Sequence, residues 1–227
     1  MLNLERLARP SIIKLRAYQS ARSLASEAEI FLDANESAVG TYNRYPQPQP
    51  RELIKRFSAL YNVGPDCILV GRGSDEGIDL LTRSFCEPRE DEIVITPPTY
   101  GMYRVAADIQ DVRVMEIPLR LSLGIWNLDV ESIAARVNEI NNRTKIIYLC
   151  SPGNPTAASL SKDEVRSVCE ATANRCLVVI DEAYAEFCED RCFLDFLKEY
   201  PHVVILRTLS KAWALAGLRC GVKARRE

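Results

Sequence analysis

Three short runs constrain this chain most: Lys145–Cys150, Leu177–Ile180 and Val203–Leu206, apolar almost throughout. A strand with one wet face alternates apolar and polar residues, whereas a continuous run is buried on both faces. Helical patterns separate the runs. Residues 51–62 place Leu53, Ile54, Phe57, Leu60 and Tyr61 on one side, and residues 129–140 do so with Val130, Ile133, Val137 and Ile140. A helix over 161–173, helices carrying Ile78, Leu81 and Phe85 and spanning 100–109, and strands at 68–70, 92–96 and 112–117 complete the alternation. Such interleaving predicts an α/β protein with a mostly parallel sheet and flanking helices. The first fifty residues are irregular. Pro46, Pro48 and Pro50 restrict the residues before them and suit an extended arm.

Composition narrows the function classes. The 227 residues amount to about one and a half average domains. With 47% hydrophobic and 26% charged residues the chain is not of the disordered type. A net charge of −2 argues against nucleic-acid binding, which favours a basic excess. No run approaches the roughly 20 apolar residues of a membrane helix. The N-terminus is charged from Glu5 onward and has no apolar signal region, so a cytoplasmic chain is expected. The eight cysteines form no C-x-x-C pair, and no metal site is expected. They read as reduced, mostly buried thiols. The single histidine, His202, sits at the mouth of an apolar strand with no nucleophile near it in sequence. Proton transfer therefore falls to Lys, Tyr, Asp or Glu.

Ligands of α/β sheets bind beyond the carboxyl ends of the strands, and every strand here is followed by chemically distinctive residues. After Val70 comes Gly71-Arg-Gly73-Ser74-Asp75-Glu76-Gly77, a turn into a helix whose free N–H groups suit an anion. The third glycine falls one position late for a dinucleotide fingerprint, which weakens a nicotinamide-cofactor reading. Asp75 serves equally as a helix cap. Tyr100, in Pro97-Pro98-Thr99-Tyr100, either stacks on a flat ligand or packs in the core. Asn154, in Ser151-Pro152-Gly153-Asn154-Pro155-Thr156, either makes a turn or aims an amide at a ligand. Asp181 follows four apolar residues, and a carboxylate buried there needs a partner. Tyr184 is placed to bond the same ligand. Lys211 follows the last strand, flanked by Ser210 and Arg219. It is either a solvated charge or a desolvated amine able to form a Schiff base, and its two neighbours can hold a phosphate. One ligand joins these features: a flat ring with an aldehyde, a phosphate and a ring nitrogen that wants a carboxylate. That ligand is pyridoxal 5′-phosphate.

The segments GRGSDEGIDLL, PPTYGMY, SPGNPT, DEAYAEF and RTLSKAWALAGLRCG, in this order, resemble the fold-type I pyridoxal-phosphate aminotransferases. LRAYQSAR near the start, LDANE at 32–36 and NRYP at 43–46 narrow the resemblance to the histidinol-phosphate aminotransferase group. It runs from about Leu15 to Gly221 and implies a three-layer α/β/α large domain over 51–227, incomplete at its C-terminus. Residues 1–50 would be an arm and the start of a small domain. It implies that Lys211 carries the cofactor and shuttles the substrate proton. Asp181 would pair with the ring nitrogen, Asn154 and Tyr184 with the ring oxygen, and Tyr100 would stack on the ring. Gly73, Ser74, Ser210 and Arg219 would hold the phosphate, with Asp75 orienting the helix start. The site would be shared across a homodimer, Tyr45 reaching the partner's cofactor and Tyr18 and Asn35 lying near substrate. The implied reaction passes an amino group between histidinol phosphate and 2-oxoglutarate in histidine biosynthesis.

Two departures stand out. The usual N-P-T-G turn reads Asn154-Pro155-Thr156-Ala157, which strains the backbone if the fourth residue needs positive φ. The chain also ends soon after Lys211, without the C-terminal small domain that the resemblance implies, and Val222-Lys-Ala-Arg-Arg-Glu leaves the expected apolar pattern. The expectation is a truncated product, marginal alone and weak or dead as a catalyst. Competing readings are an aromatic aminotransferase, a phosphothreonine decarboxylase-like enzyme, and a non-catalytic cofactor- or partner-binding remnant.

Overall fold

Six of the seven strands in the main sheet run the same way, and the seventh, β9, runs against both its neighbours. The computed structural model describes residues 4–16, 18, 30, 32, 34–188 and 192–225. Of the Tyr18–Arg22 segment only Tyr18 lies among them, and Asp33 of the LDANE segment and the last two residues lie outside.

The strands are β1 (Ile68–Gly71), β2 (Glu92–Ile95), β3 (Arg113–Glu116), β6 (Thr144–Cys150), β7 (Leu177–Asp181), β8 (Val203–Thr208) and β9 (Gly221–Arg225), in the order β1-β9-β8-β7-β6-β2-β3. A separate hairpin, β4 (Arg120–Ser122) with β5 (Ile125–Asn127), turns through Leu123 and Gly124, both at positive φ. Strands of three residues, β4 exposed and β5 partly so, are too short to carry an apolar run or a period, so local sequence does not mark the hairpin.

Helices α1 (Leu4–Leu7) and α2 (Pro10–Ile13) precede α3 (Arg51–Tyr61), α4 (Ser74–Phe85), α5 (Met102–Ile109), α6 (Val130–Val137), α7 (Lys162–Thr172) and α8 (Phe196–Glu199). Local chemistry starts several of them. Asp129 accepts from the Ser132 N–H ahead of α6, and Ser161 and Glu164 form a reciprocal capping box at α7. Alternate strand residues feed two cores. Val94, Ile147, Val178 and Ile205 pack with α6, α7 and α8 on one face. Ile93, Ile146, Val179 and Val204 pack with α4 and α5 on the other, giving three layers.

The arm has a definite job at the sheet edge. The Gln49 side-chain amide accepts from the Val70 N–H at 2.9 Å and donates to the Val70 carbonyl at 3.0 Å, standing in for a neighbouring strand on β1.

Residues 221–225 correct the expectation that the ending leaves the apolar pattern, since they form β9 inside the sheet. Val222 and Ala224 face one side and Lys223 the other, so the period is two and Lys223 breaks only the run. The Lys223 ammonium is buried 3.5 Å from Glu76 Oε2. Space for it comes from two glycines: a Cβ on Gly71 would sit 2.0 Å from its Nζ, and one on Gly77 would sit 2.8 Å from its Cε.

His202 is buried just ahead of β8, at the sheet end away from the C-terminal strand ends. Its Nε2 lies 3.0 Å from the Cys169 carbonyl, and burial lowers its pKa. Its role is in the core. Among the described residues no helix is long and apolar enough to cross a membrane.

Candidate active site

Five chain segments end around one open cleft at the carboxyl ends of the strands. The turn after β1 contributes Gly73, Ser74 and Asp75, and the loop after β2 contributes Tyr100. Asn154 follows β6, Asp181 ends β7, and Tyr184 follows it. Beyond β8 come Ser210, Lys211 and Arg219. The structure thus gathers ten of the sequence-derived candidates in one place. Tyr18, Asn35 and Tyr45 do not line it. Tyr18 and Tyr45 are 92% and 68% exposed, and the Tyr45 N–H donates locally to Glu36.

One end of the cleft is built for an anion. Gly73 at φ +89° turns the chain into α4 and caps it with no side chain, and among the described residues no side chain bonds the first N–H groups. Gly73 is required on two counts. Its φ is strained for other residues, and a Cβ there would sit 3.1 Å from Arg219 Nη2. Arg219, itself left-handed at φ 49°, donates to the Ser210 hydroxyl at 3.4 Å. Thr208 donates to the same hydroxyl at 3.0 Å. A guanidinium, a hydroxyl and a helix start therefore converge.

The other end is built for a cation. Asp181 is 1% exposed. Its Oδ2 accepts from the Tyr103 hydroxyl at 2.9 Å and its Oδ1 from the Ala183 N–H at 3.2 Å. Among the described residues, no Arg or Lys is one of its hydrogen-bond partners. Burial pushes its pKa up to about 6, against the pull of those two donors. A cationic N–H entering the cleft would compensate this charge.

The walls are aromatic and amide. Tyr100 donates to Asp75 at 3.1 Å, and burial, aided by the Asp75 charge, raises its pKa to about 12, so it stays a donor. Asn154 Nδ2 lies 3.5 Å from the Tyr184 hydroxyl. The Lys211 ammonium sits 5.4 Å above the Tyr184 ring. Lys211 is exposed, so of the two sequence-based alternatives the structure has the solvated side chain and not the buried one.

The sequence reading missed Cys150, Ala183 and Thr208, which also line the cleft. Cys150 and Thr208 are the last residues of their strands, so the strand-end rule covered them, but neither has a side chain that singles it out. Tyr103 was missed as well. It looks like a core residue of α5 until Asp181 is seen against it.

Ala157 adopts φ 55°, and its N–H donates to the Gly153 carbonyl at 2.8 Å. The left-handed region costs a non-glycine residue about 1–2 kcal/mol. Glycine gives back about 0.4–1 kcal/mol through a freer unfolded chain. Ala157→Gly is therefore expected to stabilise the protein by about 0.5–1 kcal/mol, read as a higher urea midpoint at unchanged slope. A lower midpoint would contradict the strain account.

Comparison with known proteins agrees with this architecture. The family described as aminotransferase class I and II matches residues 15–225. A histidinol-phosphate aminotransferase of Yersinia enterocolitica is 45% identical over 96% of this chain and 59% of its own length. One from Pectobacterium carotovorum is 46% identical over 97% of this chain and 62% of its own. The crystal structure of a histidinol-phosphate aminotransferase from Sinorhizobium meliloti, in complex with pyridoxal 5′-phosphate, shares the fold at a TM-score of 0.70 and 24% identity, over 81% of this chain and 48% of that one. The chain thus spans about 60% of the length of these two sequence relatives. On the match over residues 15–225 and the cleft it encloses, the chain belongs to the aminotransferase class I and II family.

Proposed function

We propose that this chain is the pyridoxal-phosphate-binding part of a histidinol-phosphate aminotransferase acting with 2-oxoglutarate in histidine biosynthesis. One observation carries the reading: a buried carboxylate, hydrogen-bonded to no cation among the described residues, faces the same cleft as an amine and an anion cradle. The residues fit the cofactor's three demands. Ser74, Ser210 and Arg219, with the open start of α4, hold its phosphate. Asp181 accepts from its ring nitrogen. Asn154 and Tyr184 bond its ring oxygen, and Tyr100 covers its face. When bound, the group supplies an aldehyde for the amine and a ring that accepts electrons.

The protein's own part is to hold and to move a proton. Lys211 would provide the amine for the cofactor's aldehyde and would move the proton at the substrate α-carbon. Asp181 keeps the ring nitrogen protonated by remaining its acceptor. Tyr184 and Asn154 fix the ring against rotation.

Tyr45 belongs in this reading to a partner's site across a homodimer, with Tyr18 and Asn35 near the substrate. Residues 1–50 act as the arm and 51–227 as the cofactor-binding domain of a cytoplasmic protein. The full identity of the substrate is inferred from the relatives named above.

The test is a visible spectrum of purified protein with pyridoxal phosphate, before and after borohydride, followed by peptide mapping. The expected result is a visible band that borohydride abolishes and reduced cofactor on the Lys211 peptide. Lys211→Ala should lose the covalent label entirely. Label scattered over surface lysines would overturn the reading. A band that no amino donor bleaches would point to cofactor binding without turnover.

A further inference from the structure

We propose that Tyr103 is the positioning residue for Asp181, its hydroxyl holding the carboxylate ionised and in one orientation toward the cleft. The inference rests on the cofactor reading above for its functional meaning, and on geometry alone for the contact.

Tyr103 is fully buried on α5, and its hydroxyl donates to Asp181 Oδ2 at 2.9 Å. The ring has little freedom. One face stacks on Tyr148 at 4.7 Å with planes 6° apart, and Tyr100 meets it edge-on at 5.7 Å and 85°. The clamp is anchored at both ends to α4. Tyr148 shares a 2.9 Å hydrogen bond with the Thr82 hydroxyl and donates to the Ile78 carbonyl at 3.2 Å. Tyr100 donates to Asp75 in the first turn of the same helix. The helix that offers its N-terminus to the anion thus also orients the ring that holds the carboxylate. The two ends of the cleft are set by one packed unit.

The chemistry follows from what surrounds Asp181. Asp75 faces it from α4, Tyr103 from α5, Tyr148 and Cys150 from β6, Tyr100 from the loop before α5, and Glu182 adjoins it on the chain. Two of these are acids; Lys211, Tyr184 and Arg219 line the same cleft, and among the described residues no cation is hydrogen-bonded to the carboxylate. Burial and these negative charges push Asp181 towards its neutral form, while the Tyr103 hydroxyl and the Ala183 N–H oppose that. The Tyr103 pKa is held well above its ordinary value, mainly by burial, so it remains a donor. A hydrogen bond from a neutral donor to a buried carboxylate is of the strong, charge-assisted kind.

The decisive experiment compares Tyr103→Phe in two backgrounds, with Asp181 present and with Asp181→Asn. Two readouts are taken: urea stability of the ligand-free proteins from pH 5 to 8, and the dissociation constant for pyridoxal phosphate. With Asp181 present, Tyr103→Phe is expected to weaken cofactor binding about ten-fold, the size of one charge-assisted hydrogen bond. It should also shift the pH dependence of stability to higher pH. In the Asp181→Asn background both effects should largely vanish. Equal losses in the two backgrounds would mean that Tyr103 only packs, and would overturn the proposal. Should Tyr103→Phe fail to fold, a ring-fluorinated tyrosine at position 103 keeps the packing and strengthens the donor; the pH dependence of stability should then move to lower pH with Asp181 present and stay put with Asp181→Asn, and no movement would overturn the proposal. The ligand-free arm separates the two readings. If wild type shows no cofactor on Lys211, the proposed function fails while the Tyr103–Asp181 coupling is still decided.

Discussion

Asp181→Asn is expected to make the ligand-free protein more stable at pH 7, by about 3 kcal/mol, while weakening its hold on pyridoxal phosphate. The Asp181 pKa rises from an ordinary 3.8 to about 6 on folding, chiefly through burial. Each unit corresponds to about 1.4 kcal/mol. The sign follows from linkage. The folded state binds the proton more tightly than the unfolded chain, so the favourable contribution is complete below the unfolded value and is lost as pH rises through the folded one. Wild type should therefore lose stability between about pH 4 and pH 6 through this group, and the Asn variant should not. Urea titrations at pH 4 and pH 7 check this: the two proteins converge at the acid end and separate at neutrality. A variant less stable than wild type at pH 7 would sink the account. A gain of this size raises the melting temperature by several degrees in a chain of this length. Destabilisation of the empty site is what one expects where a charge is held ready for a ligand.

The second large effect lies beside the cleft, at Arg207. This side chain joins four elements. Its Nε and Nη2 both donate to Glu182 Oε2, at 2.9 and 2.7 Å. Its Nη1 lies 3.6 Å from Glu186 Oε1, and its guanidinium sits 5.0 Å from the centre of the Tyr61 ring on α3. Glu182 is fully buried and accepts the Phe193 N–H through its other oxygen. Glu186 in turn holds the Trp213 indole at 3.1 Å, two residues beyond Lys211. Burial pushes Glu182 upward although Arg207 pulls it down. Arg207→Met leaves that carboxylate buried with no cation, and a loss of about 3–5 kcal/mol is expected. Part of the loss should be regained as pH falls and Glu182 takes up a proton. The double variant Glu182→Gln/Arg207→Met should recover most of it, because a matched neutral pair removes the desolvation cost along with the attraction. A single variant as stable as wild type would show that the pair contributes little.

Particular residues show how far the sequence reading reached. The runs at Lys145–Cys150, Leu177–Ile180 and Val203–Leu206 lie within β6, β7 and β8, and α4 and α7 fall where helical spacing put them. Burial on both faces and amphipathic period are local properties, written in neighbouring residues. The rule that ligands lie past the strand ends then sufficed to bring Gly73, Asn154, Asp181, Lys211 and Arg219 into one candidate set. It did not extend to Tyr18, Asn35 and Tyr45, which the structure leaves outside the cleft.

Other features became visible only in three dimensions. Lys223 interrupts an apolar pattern, and only the insertion of β9 between β1 and β8, beside the bare surfaces of Gly71 and Gly77, makes a strand of that segment. Tyr103 and Asp181 are 78 positions apart, and nothing near either residue announces the other. The exposure of Lys211 likewise depends on how its loop lies over Tyr184. Hydrophobic period and strand-end residues act over a few positions, so the layers and the turns that carry the chemistry are legible locally. Which buried charges have partners depends on register and packing between distant segments, which set every one of those distances.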